Sequence, residues 1–568
     1  MDKQGKQHPM STITNKIRNK RYHTKNDVLA LKISTHLSKN YTLVICDLSL
    51  SGIGAKTSSP EDINKLDLKP GEIIESASIT SETDEIDIDI GRLVIRFSDE
   101  VANHIGFSLI DTKLPIDGQF SKYLEYNDKF NILPYDTELD PYHFDIGTFA
   151  NLDDDNRDLF SRCHQFNTFF KDWKKTPLYL YNTVRSSSTG TRVDLSLKRR
   201  GQGRSDFINM CSNDYLNMAS HPKVIAAANK ALEEYGFGPT GSPLVSGLTQ
   251  YHEELSYYIA KQFGKEKVML FPSGYAANVG SFTCLANEKD LLLADFFAHA
   301  SIQDGLQLSR ATTRLFRHND MQHLEKLLKR YRDDHAGCMI ISEGIFSMGG
   351  DVCPLDEIID LAKHYQARVY IDEAHSYGLL GKHRLGITDQ YGLIDETDIV
   401  MGAFSKICGG HGGFIAADEN VIDWMSWYGR SFMFSAAFPP VSAAAVLTAI
   451  KIVFEEEPER LSALENNIRH FIRGLRELGY KAYDESHQSA IVPVLIGDEH
   501  VLSKIVQYLV ENGVFVVPMI YPAVPRNSSL LRFTLSSSHS VSDLDYVLHM
   551  LESALKAADF SFDGRTVQ

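Results

Sequence analysis

Apolar and polar positions divide the chain into three stretches of different rhythm. VLALKIS (28–34), YTLVICDLS (41–49) and GRLVIRFSD (91–99) are β-branched and partly alternating, the pattern of half-buried strands. Gly52, Gly54 and Gly71 punctuate them. Residues 15–115 are therefore expected to form a small all-β unit, a barrel, behind a flexible tail over 1–14. Residues 116–175 are polar and aromatic, rich in Asp and Asn, and broken by Pro134 and Pro141. They read as a connector with some helix near 157–173.

From 176 to 568 strand-like runs alternate with helical ones. The spacing of Leu255, Tyr258, Ile259 and Phe263 predicts a helix over 252–263, stopped at Gly264. VMLF (268–271), CMIIS (338–342), RVYID (368–372) and DIVMGA (398–403) read as buried strands. PLDEIIDLAKHYQ (354–366) reads as a helix opened by proline. Such alternation predicts an α/β fold with a mostly parallel sheet covered on both faces. The large lobe is expected over about 215–440, and a smaller α+β lobe over about 441–560.

Composition narrows the function classes. At 568 residues, two or three domains are expected. Hydrophobic residues at 43% and charged residues at 23% fit a globular chain and exclude a wholly disordered or fibrous one. Lys and Arg number 58 against 74 Asp and Glu, a net charge of −16. That argues against a broad nucleic-acid surface but leaves room for a local anion site. Seven cysteines (Cys46, Cys163, Cys211, Cys284, Cys338, Cys353, Cys408) show no paired C-x-x-C spacing. No disulfide framework and no metal site is expected, which suits a reducing cytosol. The opening MDKQGKQHPM holds no apolar stretch, and no run reaches the ~18 apolar residues of a membrane helix. A cytoplasmic protein without a transmembrane segment is expected.

Ligands of open α/β sheets bind beyond the carboxyl ends of the strands. VMLF runs into PSGYAAN, where backbone N–H groups at Ser273, Gly274 and Tyr275 would face an anion at a helix start. That turn is equally an ordinary tight connection. RVYIDEAHSYG places Asp372, Glu373 and His375 at a strand end, which by themselves read as a capping carboxylate and a structural histidine. DIVMGAFSKICGGHGG is more telling. Lys406 is tethered between a core strand and glycines, where a lysine becomes a desolvated nucleophile rather than a solvated surface group.

Together these segments resemble the fold-type I pyridoxal-phosphate enzymes, specifically the α-oxoamine synthases, over residues 176–560. The matching segments run in order: SNDYL (212–216), GFGPTGSPLVSGLTQYHEEL (236–255), FPSGYAAN (271–278), HASIQDG (299–305), EGIFSMGGD (343–351), IDEAHSYG (371–378), FSKICGGHGG (404–413) and LLRFTLSSSHS (530–540). The resemblance implies pyridoxal 5'-phosphate as cofactor and Lys406 as the lysine that joins it covalently and later moves protons at the substrate Cα. Asp372 is implied at the pyridine nitrogen and His299 on the ring face. His375 and Ser347 are implied at the ring hydroxyl. Ser273, Gly274 and Tyr275 are implied at the phosphate, and Arg532 with Asn213 at the amino-acid carboxylate.

The family often carries a threonine three residues before the lysine; here that position is Ala403, while Ser405 adjoins Lys406. One phosphate hydrogen bond, about 1 kcal/mol, is then lost. Ser435 is implied to reach the cofactor across a homodimer interface. The implied reaction condenses a small amino acid with an acyl thioester on coenzyme A or acyl carrier protein, losing carbon dioxide and giving a 2-amino ketone. FSAAFPP, DESHQSAIVPV (484–494) and LLRFTLSSSHS look more like bacterial serine palmitoyltransferases than the glycine or biotin-pathway members. Serine is therefore the favoured amino acid. The alternatives are another α-oxoamine synthase, an aminotransferase on the same architecture, and a non-catalytic nucleotide-responsive scaffold.

DLSLSGIGAKT (47–57) resembles the D-x-S-x-x-G element of PilZ domains, with GRLVIRF (91–97) and HIGFSLID (104–111) as later strands. The resemblance implies cyclic di-GMP as a regulatory ligand, with Asp47 and Ser49 at the guanine edge and Gly52 allowing a sharp turn. The family's R-x-x-x-R element has its counterpart in IRNKRYHTK (17–25). There Arg21 is followed at four residues by Lys25, with Arg18 nearby. A lysine does not reproduce a bidentate, stacking guanidinium.

Overall fold

A computed structural model of the chain describes residues 160–197, 202–483, 487–521, 523–525 and 527–562, together with the backbone of six earlier strands. Contacts divide the chain into two units, Met1–Thr176 with Ile520–Ser528, and Pro177–Met519 with Ser529–Gln568.

In the first unit β1 (Leu29–Ser34), β2 (Asn40–Ser49), β3 (Gly52–Lys56), β4 (Ile73–Ser81), β5 (Asp87–Asp99) and β6 (His104–Asp111) close into a barrel in the order β1-β2-β3-β6-β5-β4. Every pairing is antiparallel. Closure removes the unpaired edges that an open sheet would present. A helix, Ser161–Trp173, follows later in this unit.

The second unit is built on a seven-stranded sheet. Its strands are β10 (Lys267–Phe271), β11 (Leu291–Asp295), β12 (Thr312–Phe316), β13 (Cys338–Glu343), β14 (Arg368–Asp372), β15 (Ile399–Ala403) and β16 (Gly413–Ala417), in the order β10-β16-β15-β14-β13-β11-β12. Only β16 runs against its two neighbours. The other pairings are parallel. Every residue of β11, β15 and β16 is buried, as expected where helices cover both faces.

One core cluster joins Leu292, Ile341, Tyr370, Met401 and Ile415 of the sheet to Ala277 and Phe282 of helix Gly274–Leu285 and to Ile302 and Leu306 of helix Ala300–Leu308. Burying a side chain of Phe282's kind stabilises the fold by about 2–3 kcal/mol. Small residues let helix Gly274–Leu285 start directly on the sheet. A Cβ at Gly413 would lie 2.8 Å from the Gly274 Cα, and one at Gly274 would lie 2.8 Å from Met401 Cε.

The remaining strands join distant parts of the chain. β17 (Ile491–Gly497), β20 (Ser529–Thr534) and β19 (Pro518–Met519) form one antiparallel sheet. β18 (Val514–Phe515) pairs in parallel with β9 (Gln202–Asn209), which continues to β8 (Arg192–Leu197) and β7 (Val184–Arg185). Strands from 184–209 thus share a sheet with residue 514, although the apolar rhythm of the sequence marks only the chain after 440 as the smaller lobe. The helix expected over 354–366 spans Leu355–Tyr365, with Pro354 outside it as cap and Gln366 left-handed at its end. The helix expected over 252–263 starts two residues earlier, at Gln250, because Thr249 and His252 form a reciprocal cap.

Candidate active site

The parallel strands β11, β13 and β14 each end on an acid: Asp295, Glu343 and Asp372. Glu343 and Asp372 stand side by side in the ladder. The site grows from this row. Alternation along the chain then separates Asp372 from its neighbour Glu373. The Glu373 carboxylate accepts the N–H groups of Ile387 and Thr388 at 2.9 Å and the Ser376 hydroxyl, so it is a structural cap.

Asp372 is held differently. Its Oδ1 accepts the Ala374 N–H at 2.9 Å, and its Oδ2 accepts Asn278 Nδ2 at 2.9 Å. Asn278 is oriented by the Tyr370 hydroxyl, which donates to Asn278 Oδ1 at 2.6 Å. Its Nδ2 also donates to Ser301 Oγ at 2.9 Å. The Ser301 hydroxyl is left to donate to His299 Nδ1 at 2.8 Å, and the Ser301 backbone N–H points at the same nitrogen at 3.2 Å. His299 Nδ1 is therefore an acceptor, and the ring proton sits on Nε2. The backbone N–H of His299 donates to Glu343.

Lys406 follows β15 in a loop closed by Phe404 N–H to Gly412 O and Gly410 N–H to Phe404 O, each 3.0 Å. Gly409 makes this loop feasible. Its φ is +56°, and a Cβ there would lie 2.4 Å from the Ala219 backbone nitrogen. Burial and the Arg532 charge lower the Lys406 pKa, against the pull of Asp372 and Glu343. His299 is exposed over part of its surface but ringed by protein. That desolvation outweighs the attraction of Asp372 and, with the Lys406 charge, lowers its pKa. Burial pushes Asp372 up, while Asn278, the Ala374 N–H, His299 and Lys406 pull it back. His375 is buried, lies well below the usual imidazole range for the same reason, and meets the Tyr215 hydroxyl through Nδ1 at 2.6 Å.

Arg532 on β20 is buried. It donates from Nε to the Ser347 carbonyl at 2.7 Å, and from one terminal nitrogen to Thr534 Oγ1 at 3.1 Å and Asn213 Oδ1 at 3.4 Å. Lys406, Asp372, His299, His375, Asn213, Ser347 and Arg532 therefore form one cluster. Ser273 caps helix Gly274–Leu285 through its own Oγ. That leaves the first-turn N–H groups of Gly274 and Tyr275 without helical acceptors. This helix start packs on Ala403, three residues before Lys406. Ser405 is exposed. Ser435 is half-buried, its hydroxyl donates to the Ala436 carbonyl at 3.3 Å, and no contact with the cluster is found among the described residues.

The sequence reading missed Asn278, Ser301, Tyr370, Glu343 and Tyr215. Each lies inside a segment singled out there or one residue from it. Asn278 carries the clearest signal, as a lone amide in an otherwise small and apolar helix. Arg18, Arg21 and Lys25 lie outside the described residues. Asp47, Ser49 and Gly52 lie on the β2–β3 hairpin, where Asp47 pairs with Gly54 and Ser49 with Gly52; only their backbone is described. The six cysteines described are free. Among the described residues no cluster of His, Cys, Asp and Glu could hold a metal ion, and no helix is long and apolar enough to cross a membrane.

The chemistry of this donor set fits pyridoxal 5'-phosphate. It offers an amine of lowered basicity, a buried carboxylate oriented by an amide, a neutral imidazole and free amides at a helix start. Comparison with known proteins points the same way. The profile of aminotransferase class I and II matches residues 205–551. An 8-amino-7-oxononanoate synthase from Thermoanaerobacter pseudethanolicus is 36% identical over 386 residues, covering 68% of this chain and 95% of that protein. The 4-hydroxy-2,2'-bipyrrole-5-methanol synthase PigH of Serratia sp. is 34% identical over 388 residues, and the match spans 68% of this chain and 59% of that protein's length. Among solved structures, the serine palmitoyltransferase of Sphingomonas wittichii superposes with a TM-score of 0.67 at 32% identity, covering 71% of this chain and 99% of that one.

Proposed function

The chain belongs to the aminotransferase class I and II family and, within it, to the pyridoxal-phosphate-dependent α-oxoamine synthases, and from that premise we propose that it condenses serine with a long-chain acyl thioester, releasing carbon dioxide. The observation that carries this reading is the joining of Lys406, Asp372 and His299 to Arg532 in one cluster. When bound, pyridoxal phosphate supplies an aldehyde and an electron-withdrawing ring that stabilises negative charge at the amino-acid Cα.

The protein's part is orientation and proton movement. Lys406 would hold the cofactor, and its lowered pKa suits a neutral amine that takes the Cα proton. Asp372 would hold a proton at the ring nitrogen, with its second oxygen fixed by Ala374. His299 would lie against the ring. Its tautomer is set by Ser301, so Nε2 carries the only proton it can donate. His375 keeps Nε2 for the ring hydroxyl, since Tyr215 occupies Nδ1; Ser347 would assist there. Gly274 and Tyr275 would bind phosphate through their amides; Ser273 adjoins them in the chain, and Ser405 adjoins Lys406. Arg532 and Asn213 would grip the amino-acid carboxylate, where a planar fork suits bidentate contact.

A spectral titration of the purified holoenzyme with glycine, alanine and serine tests the amino-acid choice. A response to serine alone is expected, and a response to glycine alone overturns it. Carbon dioxide release matched to thioester consumption separates this reaction from an aminotransferase, which would give a keto acid.

The catalytic unit is proposed to work as a homodimer, with Ser435 reaching the partner's cofactor. Ser435 is half-buried beside Phe434, whose relative exposure is 71%. The N-terminal barrel is proposed to be PilZ-like and to bind cyclic di-GMP through Asp47, Ser49, Gly52, Arg18, Arg21 and Lys25. Support comes from D-x-S-x-x-G spanning the β2–β3 hairpin. A calorimetric titration with the nucleotide that shows neither heat nor a change in turnover overturns this assignment.

A further inference from the structure

A second histidine cluster stands at the ends of β11 and β13, outside the catalytic set. His318, two residues past β12, places Nδ1 2.9 Å from Asp295 Oδ1 and Nε2 2.6 Å from Asp351 Oδ2. Carboxylates only accept, so both ring nitrogens must donate, and His318 is an imidazolium. Asp295 is fully buried and His318 nearly so, at 13% side-chain exposure; Asp351 is 41% exposed. Burial alone would lower the His318 pKa, but the bonds and charges of Asp295 and Asp351 raise it to about 10. Asn319 repeats the link. Its N–H donates to Asp295 at 2.8 Å, and its amide donates to Asp351 at 3.2 Å and the Val352 carbonyl at 3.0 Å. To do so it adopts a left-handed φ of 51°, which asparagine tolerates.

The far end of this brace is the turn that holds Ser347. Ile345 and Val352 form an antiparallel bridge. Phe346 N–H donates to Asp351 O, and Gly350 N–H to Phe346 O, each at 2.9 Å. Phe346, next to Ser347, packs on the His318 ring at 4.5 Å and 90°. Phe297 covers the ring at 4.6 Å. An unbroken chain of contacts therefore runs from Asp295 through His318 to Asp351 and Phe346, then to the Ser347 carbonyl and the Arg532 guanidinium.

We propose that His318 is a positioning residue for amino-acid recognition: by tying the 344–352 turn to the carboxyl end of β11, it fixes the carbonyl that aims Arg532. This rests on reading Arg532 as the carboxylate-binding residue. His318 itself touches neither substrate nor cofactor.

The test uses the full-length holoenzyme carrying His318→Gln, with Asp351→Asn as a milder second variant. His318→Gln is expected to keep the cofactor absorbance, to raise the amino-acid KM roughly tenfold, and to leave kcat and the thioester KM within about twofold. Asp351→Asn, which keeps an acceptor oxygen, is expected to raise the amino-acid KM about threefold. Hydrogen exchange at the Phe346 and Gly350 amides should quicken in His318→Gln. The proposal is overturned by an unchanged amino-acid KM, by unchanged exchange, or by a uniform loss in every parameter. Arg532→Gln is the reference. If it leaves the amino-acid KM unchanged, the Arg532 reading fails and takes this proposal with it. That result differs from one in which Arg532→Gln matters and His318→Gln does not.

Discussion

His299 and His318 are both placed beside strand-end aspartates of the same sheet, and they end in opposite charge states. His299 sits by Asp372, yet desolvation outweighs that acid and lowers the ring's pKa, while Asn278 and the Ala374 N–H occupy the carboxylate and Ser301 donates to the imidazole, which leaves it neutral. His318 sits between Asp295 and Asp351, whose oxygens approach its nitrogens at 2.9 and 2.6 Å, well inside the Asn319 amide at 3.5 Å from Nε2, and it holds both protons. Proximity to an acid therefore does not decide a histidine's charge. What decides it is whether the acid's oxygens and the ring's nitrogens are aimed at each other or at third parties. The first arrangement leaves a tunable ring for chemistry, and the second makes a rigid strut.

Removing the acid on the catalytic side should have the largest effect. Asp372→Asn keeps the shape but removes the charge, and kcat should fall roughly 10³-fold with the fold retained, read by single-turnover kinetics and circular dichroism. A result within tenfold of wild type would show that this acid does not set the chemistry.

The next test removes the third party. Asn278→Leu leaves the buried Tyr370 hydroxyl and one Asp372 oxygen without their partner, and it should cost about 2–3 kcal/mol of stability in denaturant unfolding. It should also free Asp372 to attract a proton on His299, so the acid limb of the rate–pH profile should move upward.

The strut gives a pH prediction of defined sign. The folded pKa of His318 is raised to about 10 from an ordinary 6.5. Its contribution to stability is thus complete below 6.5, declines between 6.5 and about 10, and is lost above. The gap in Tm between wild type and His318→Gln should narrow across that window; a gap that widens would refute the imidazolium. The smallest effect concerns the lysine loop. Ala403→Thr adds one hydroxyl at the start of helix Gly274–Leu285 and should tighten cofactor binding about fivefold, measured by equilibrium dialysis.

Much of the sheet was legible because its strands are short apolar runs ending at turns. CMIIS and RVYID are core strands at the expected places, and the Lys406 loop was marked by its glycines. The pairing of Val514–Phe515 with Gln202–Asn209 was not legible. Two-residue strands carry no periodicity, and their partner lies some three hundred residues away. His318 was overlooked for a similar reason. It follows TTRLF without any spacing that marks it, and its two carboxylates come from elsewhere in the chain, Asp295 at the end of β11 and Asp351 in the 344–352 turn.

By itself, the sequence determined which residue types stand at the strand ends: a lysine before glycines, an aspartate closing RVYID, and an arginine within LLRFTL. Those identities follow from local pattern, because strand length and turn chemistry are encoded within a few residues. The tertiary structure alone decided which aspartate meets an amide and which meets an imidazolium, and which carboxyl caps a helix. Hydrogen bonds form only between aimed atoms within about 3 Å. That aim is set by packing between segments far apart in the chain.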